Sequence, residues 1–84
     1  MSKTVLITGA TRGLGEGLAR EFAARGYKIA LTGRSSDELD RLEKDLQDQA
    51  PKVCTRPLDV VQYEAIPGVV RECALELGGI DTVI

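Results

Sequence analysis

Eighty-four residues, 43% of them hydrophobic and 29% charged, suit one small globular domain at most, with about 60–65% of the unfolded surface buried around a single core. Eleven lysines and arginines against thirteen aspartates and glutamates leave a formal charge of −2, so the charge balance offers nothing to nucleic acid or anionic lipid, and neither partner is expected. No apolar run approaches the roughly 18–20 residues that cross a bilayer, and Met1-Ser2-Lys3 ahead of the first strand leaves no room for a signal peptide; a cytoplasmic protein is expected.

The first predicted element is Thr4-Val5-Leu6-Ile7-Thr8, a continuous β-branched and apolar run of the kind that is buried on both faces of a sheet. After a glycine-rich turn, Leu14, Leu18 and Phe22, with Ala19 and Ala23, recur at helical spacing and give one apolar stripe. Gly26 closes that helix as a glycine past a C-terminus does. Lys28-Ile29-Ala30-Leu31-Thr32 is the second strand. Ser35-Ser36-Asp37-Glu38 then fits a capping box, with a serine to cap and a glutamate three residues on.

Leu39, Leu42 and Leu46 form the buried stripe of the second helix, which Pro51 is expected to stop. Lys52 to Leu58 is a third strand, weakened near its end by Arg56 and Pro57. Ile66, Val69, Val70, Cys73, Ala74 and Leu77 make a third helical stripe, and Pro67 places the start of the regular helix close to itself. Gly78-Gly79 ends it, and Ile80-Asp81-Thr82-Val83-Ile84 opens a fourth strand. The order β-α-β-α-β-α-β, with crossovers long enough for parallel strands, predicts an α/β fold: half of a doubly wound parallel sheet with helices on both faces.

The chain holds no histidine, which removes the commonest general base and metal ligand from consideration. Cys54 and Cys73 have neither metal-ligand spacing nor a C-x-x-C arrangement. They read as buried, reduced thiols, and no metal site is expected.

In a doubly wound fold the first strand-to-helix turn is the usual phosphate site, and four glycines stand there: Gly9, Gly13, Gly15 and Gly17. Gly9 can turn the chain off the strand with dihedrals that other residues avoid. Gly13 and Gly15 would admit backbone close to a pyrophosphate, and Gly17 would let the helix pack tightly on the sheet. The helix N-terminus, with unpaired N–H groups and the positive end of its dipole, would face the anion. Leu14-Gly15-Glu16 lacks the lysine and hydroxyl residue of a P-loop, and Leu18 breaks the ordinary G-x-G-x-x-G.

What stands is Thr8-Gly9-Ala10-Thr11-Arg12-Gly13-Leu14-Gly15, a T-G-x-x-x-G-x-G. It resembles the cofactor motif of the short-chain dehydrogenase/reductase family of NAD(P)-dependent oxidoreductases. Asp59-Val60 resembles that family's aspartate-containing pair at the adenine, although Asp59 taken alone also fits a loop or capping residue. Gly79 to Ile84 resembles the strand leading into the family's Asn-Asn-Ala-Gly segment, while Asp81 itself reads as solvated or structural. The resemblance runs over residues 1–84 and implies the amino-terminal part of a Rossmann-type dinucleotide domain, incomplete in or just after the fourth strand. It implies cofactor contacts from Gly9, Thr11, Arg12, Gly13, Leu14, Gly15, Arg34, Ser35, Asp59 and Val60.

The second strand ends Leu31-Thr32-Gly33-Arg34-Ser35 with no carboxylate at its tip. A carboxylate there would bind ribose hydroxyls and repel a 2′-phosphate. Arg34 instead offers a planar guanidinium suited to phosphate and to stacking on adenine. Arg12 is a second cation on the same side, and basic residues at these two positions accompany NADP preference in the family. Asp37 falls in the first turn of the next helix, where it favours the dipole. NADP(H) over NAD(H) is therefore expected.

Catalysis in the family, as the resemblance implies, uses Tyr-x-x-x-Lys and a serine, often with an asparagine. Here Tyr27 is followed four residues later by Leu31 and Tyr63 by Pro67, and asparagine is absent. No catalytic residue is therefore assigned. The expected function is the NADP(H)-binding part of an oxidoreductase that exchanges hydride with a small carbonyl or alcohol substrate. The alternative is a nucleotide-binding or interaction module without catalysis. An apolar fourth strand at a sheet edge leads us to expect a homo-oligomer, or membership of a larger chain.

Overall fold

A computed structural model describes residues 3–59 and 62–84. Strands and helices alternate as β1 (Thr4–Ile7), α1 (Gly13–Ala24), β2 (Lys28–Gly33), α2 (Ser36–Leu46), β3 (Val53–Pro57), α3 (Ile66–Leu77) and β4 (Thr82–Val83), with a 3₁₀ turn at Tyr63–Ala65 before α3. The strands form one parallel sheet in the order β3-β2-β1-β4. Val5 stands beside Ile29 and Thr82, and Ile29 in turn beside Val53. The doubly wound arrangement expected from the pattern is the one observed.

The pleat explains why β1 and β2 carry unbroken apolar runs, Val5-Leu6-Ile7 and Ile29-Ala30-Leu31. Val5, Ile7, Ile29 and Leu31 point to one side, into a cluster with Ala19 and Ala23 of α1 and Leu39, Leu42 and Leu46 of α2. Leu6 and Ala30 point to the other, against Cys54 of β3 and Cys73 and Leu77 of α3. Two strands buried on both faces thus hold a three-layer sandwich together. Burying one such Leu or Ile contributes about 1.5–3 kcal/mol.

Several element ends differ from the sequence expectation. Leu14 does not belong to the buried stripe of α1; it stands 80% exposed in the first turn. Helix α2 ends at Leu46, ahead of Pro51, because the chain folds back through hydrogen bonds from the Gln49 and Ala50 amides to the Leu46 carbonyl. That turn buries Ala50 against the α1–α2 cluster. Pro57 is tolerated inside β3 because β3 is an edge strand. Pro67 occupies the second position of α3, where its missing N–H has no intrahelical partner to lose.

Gly78 adopts a left-handed conformation with φ of 84°, and it and Gly79 both donate to the Ala74 carbonyl, closing α3. β4 covers only Thr82–Val83, but amides on either side extend its pairing: Asp81 donates to Thr4 and Ile84 to Leu6. Asp81 is structural, as expected, since its carboxylate accepts from the Thr4 amide at 2.8 Å. Both cysteines are free and buried, with their sulfurs 3.5 Å apart. Burial pushes both thiols up from their ordinary range, which keeps them protonated and unreactive.

Candidate functional site

The three connections that follow β1, β2 and β3 meet at the carboxyl end of the sheet. The α1 and α2 crossovers lie on one face and α3 on the other, so the winding reverses between β1 and β4. Ligands of open parallel sheets sit outside the strand ends near such a reversal. A cleft of about 360 Å³ opens there, lined by Gly9, Thr11, Arg12, Gly33, Arg34, Ser35, Glu38, Leu58 and Asp59. That volume lies within the range of small-molecule sites, roughly 300–1,000 Å³.

Backbone bonds between adjacent connections fix the cleft floor. The Ala10 amide donates to the Thr32 carbonyl at 3.0 Å, and the Leu58 amide to the Gly33 carbonyl at 2.7 Å. Gly9 turns the chain out of β1 with φ of +60°, and Gly13 starts α1 with φ of +51°. Both conformations are strained for a side chain. At Gly15 the reason is space rather than conformation: an added Cβ would lie 2.9 Å from the Gly9 carbonyl carbon and 3.2 Å from Ala10 Cα. The close approach of α1 to the strand end therefore belongs to Gly15. Gly17, expected in that role, faces open space.

The N-cap of α1 is Arg12, which is extended (φ −139°, ψ 147°) and contributes no side-chain cap. The first-turn amides of α1 are thus left to solvent or a ligand, beside the cleft. The start of α2 is different. Ser35 Oγ accepts from the Glu38 amide at 3.2 Å, the serine half of the expected capping box. Glu38 does not complete the box; its carboxylate lies 3.7 Å from the Arg12 guanidinium.

Of the ten residues singled out in the sequence, Gly9, Thr11, Arg12, Arg34, Ser35 and Asp59 line this one cleft. Gly13, Leu14 and Gly15 form the adjoining first turn of α1, and Val60 lies outside the described residues. Arg34 is exposed at the tip of β2, and Asp59 is half-buried on the far wall. Three lining residues were missed: Gly33, Leu58 and Glu38. Gly33 and Leu58 carry no chemical signal, and Glu38 was absorbed by its capping role. Among the described residues no cluster of His, Cys, Asp or Glu could hold a metal ion.

The short chain dehydrogenase family profile matches residues 3–84. An uncharacterized oxidoreductase of Mycobacterium tuberculosis is 46% identical over 82 residues, covering 95% of this chain and 32% of that protein. An alcohol dehydrogenase from the archaeon Thermococcus sibiricus, solved with 5-hydroxy-NADP, superposes with a TM-score of 0.92 and 37% identity, over 99% of this chain and 36% of that one. A 3-oxoacyl-(acyl-carrier protein) reductase from Brucella melitensis, solved with NAD, superposes at 0.89 with 31% identity, over 99% of this chain and 32% of that one. The chain spans about a third of the length of these relatives. With the glycine turn, the parallel sheet and the family profile in agreement over residues 3–84, the chain belongs to the short chain dehydrogenase family.

Proposed function

We propose that this chain is the NADP(H)-binding part of an oxidoreductase acting on a small carbonyl or alcohol substrate. One observation carries the reading: the open N-terminus of α1 adjoins a cleft whose rim holds Arg34 and no carboxylate at the tip of β2. The fit is stereochemical as well as electrostatic. Gly13 and Gly15 leave the first turn of α1 without side chains that would hold a pyrophosphate off the helix amides. Arg34, and Arg12 across the cleft, supply guanidinium forks for a 2′-phosphate. Ser35 keeps its hydroxyl proton free to donate, because its oxygen is the acceptor in the cap. Asp59, with Val60 beyond it, would meet the adenine.

When bound, a nicotinamide supplies the two-electron chemistry. The residues of this chain anchor the nucleotide's phosphates and ribose and orient them. Tyr27 takes no part: it stands at the amino end of β2, packed edge-on against Phe22 with ring centroids 4.7 Å apart. That placement favours, as a second reading, a binding module whose proton donor lies outside this chain. The exposed apolar β4 edge, with Val83 60% and Ile84 41% accessible, supports self-association, which light scattering would measure. Titration with NADPH and NADH by intrinsic nucleotide fluorescence tests the proposal. Micromolar NADPH binding is expected, and absence of binding to either nucleotide would overturn it.

A further inference from the structure

Resting on the dinucleotide reading, we propose that Glu38 is a displaceable counter-ion of the cleft, which competes with the 2′-phosphate for Arg12 and so limits the preference for NADP(H). Arg12 is 79% exposed and Glu38 37%. Their 3.7 Å contact joins the start of α1 to the start of α2 across the cleft that both residues line.

Glu38 is well placed to hold this position. Its amide is tied to Ser35 Oγ, and its carboxylate sits in the first turn of α2, where the helix dipole favours a negative charge. A glutamate at that position usually reaches back to its own cap; here it turns to a cation of the neighbouring helix. A 2′-phosphate carries more charge than a carboxylate and matches the guanidinium fork. It therefore takes Arg12 over, but only by separating an existing pair.

The released carboxylate has somewhere to go. Glu38 also lines an adjoining groove between α1 and α2 that contains Arg20 and Arg41. Arg20 is engaged there by Glu16 at 3.0 Å and Asp45 at 3.2 Å. Arg41 lies three residues from Glu38 on the same helix, within the spacing at which side chains meet. Nucleotide binding thus transfers Glu38 from Arg12 toward Arg41.

The test is a double-mutant cycle on the 84-residue chain, read as equilibrium binding of NADPH and NADH, with a thermal melt of each variant. Glu38→Gln keeps a glutamine that is acceptable at this capping position, so the melt should move little. Its NADPH affinity should rise about threefold, the scale of one exposed ion pair, with NADH unchanged. In the Arg12→Ala background the same substitution should bring no gain. An equal change for both nucleotides, or a gain that survives Arg12→Ala, overturns the proposal, since Glu38 would then act on the ligand directly or through stability. Wild-type binding of NADPH with no response to Glu38→Gln defeats this proposal alone, whereas a wild-type chain that binds neither nucleotide defeats the dinucleotide reading and this with it.

Discussion

Two helices begin side by side at the carboxyl end of the sheet, and they begin differently. Helix α1 starts after Arg12 with no side-chain cap, and glycine stands at the first and third positions of its opening turn. Helix α2 starts after Ser35, whose hydroxyl oxygen satisfies the Glu38 amide, and carries Asp37 and Glu38 in its first turn. Both first turns carry acidic residues, Glu16 in α1 and Asp37 and Glu38 in α2, but only α2 has a side-chain cap; the α1 terminus lies uncapped beside a cleft. A cap is worth about 1 kcal/mol, so leaving α1 uncapped sacrifices stability that an anionic ligand can restore on binding. The contrast separates a terminus whose amides are open to a ligand from one that carries its own side-chain cap.

The largest expected effect comes from filling the space that keeps α1 close. Gly15→Ala drives a Cβ against the Gly9 carbonyl and Ala10, at a cost of about 2–3 kcal/mol, and should abolish NADPH binding in the same titration. Gly17→Ala, two residues along the same helix and facing open space, is the control. It should stabilise the chain by about 0.5–1 kcal/mol, visible as a raised thermal midpoint with binding retained. Similar losses at both positions would remove the special status of the α1 terminus.

Arg34→Asp comes next. Loss of a charge-assisted contact worth about 1.5–3 kcal/mol should weaken NADPH binding at least tenfold, with much less effect on NADH. Equal weakening of both would sink the assignment of Arg34 to the 2′-phosphate. Ser35→Ala should divide its effect the other way, losing about 1 kcal/mol of stability with the α2 cap, or roughly 4–8 °C in a domain of this size. Its NADPH affinity should fall only about threefold, for one neutral hydrogen bond. The smallest signal is chemical: Cys54 and Cys73 should resist alkylation at pH 8 in the folded chain and react once it is denatured. Burial raises both thiols, so little thiolate exists at that pH.

Most of the architecture was legible because its signals are local. The apolar run Val5–Ile7 behind β-branched Thr4 announces a strand buried twice over, and Leu39, Leu42 and Leu46 announce one buried helix face. The spacing Gly9, Gly13, Gly15 places the turn, and the capping serine was found at Ser35. What failed was long-range or volumetric. Spacing assigns the close packing of α1 to Gly17; only the position of the Gly9 carbonyl shows that Gly15 is the one that lacks room. Leu14 has the right period for the core, yet the first turn of α1 overhangs the strand end and leaves it in solvent. Glu38 matches its local motif, so nothing nearby in sequence shows that its carboxylate faces Arg12, a residue of the preceding crossover.

In the proposed reading the open α1 terminus takes the pyrophosphate that both nucleotides carry, and Arg34, with Arg12, selects the one bearing a 2′-phosphate. Calorimetric titration of the chain with NADPH and with NADH under one buffer and salt condition tests it directly. NADPH is expected to bind at least tenfold tighter than NADH, a margin that narrows as salt screens the exposed arginines. Equal affinities, or tighter binding of NADH, would contradict it.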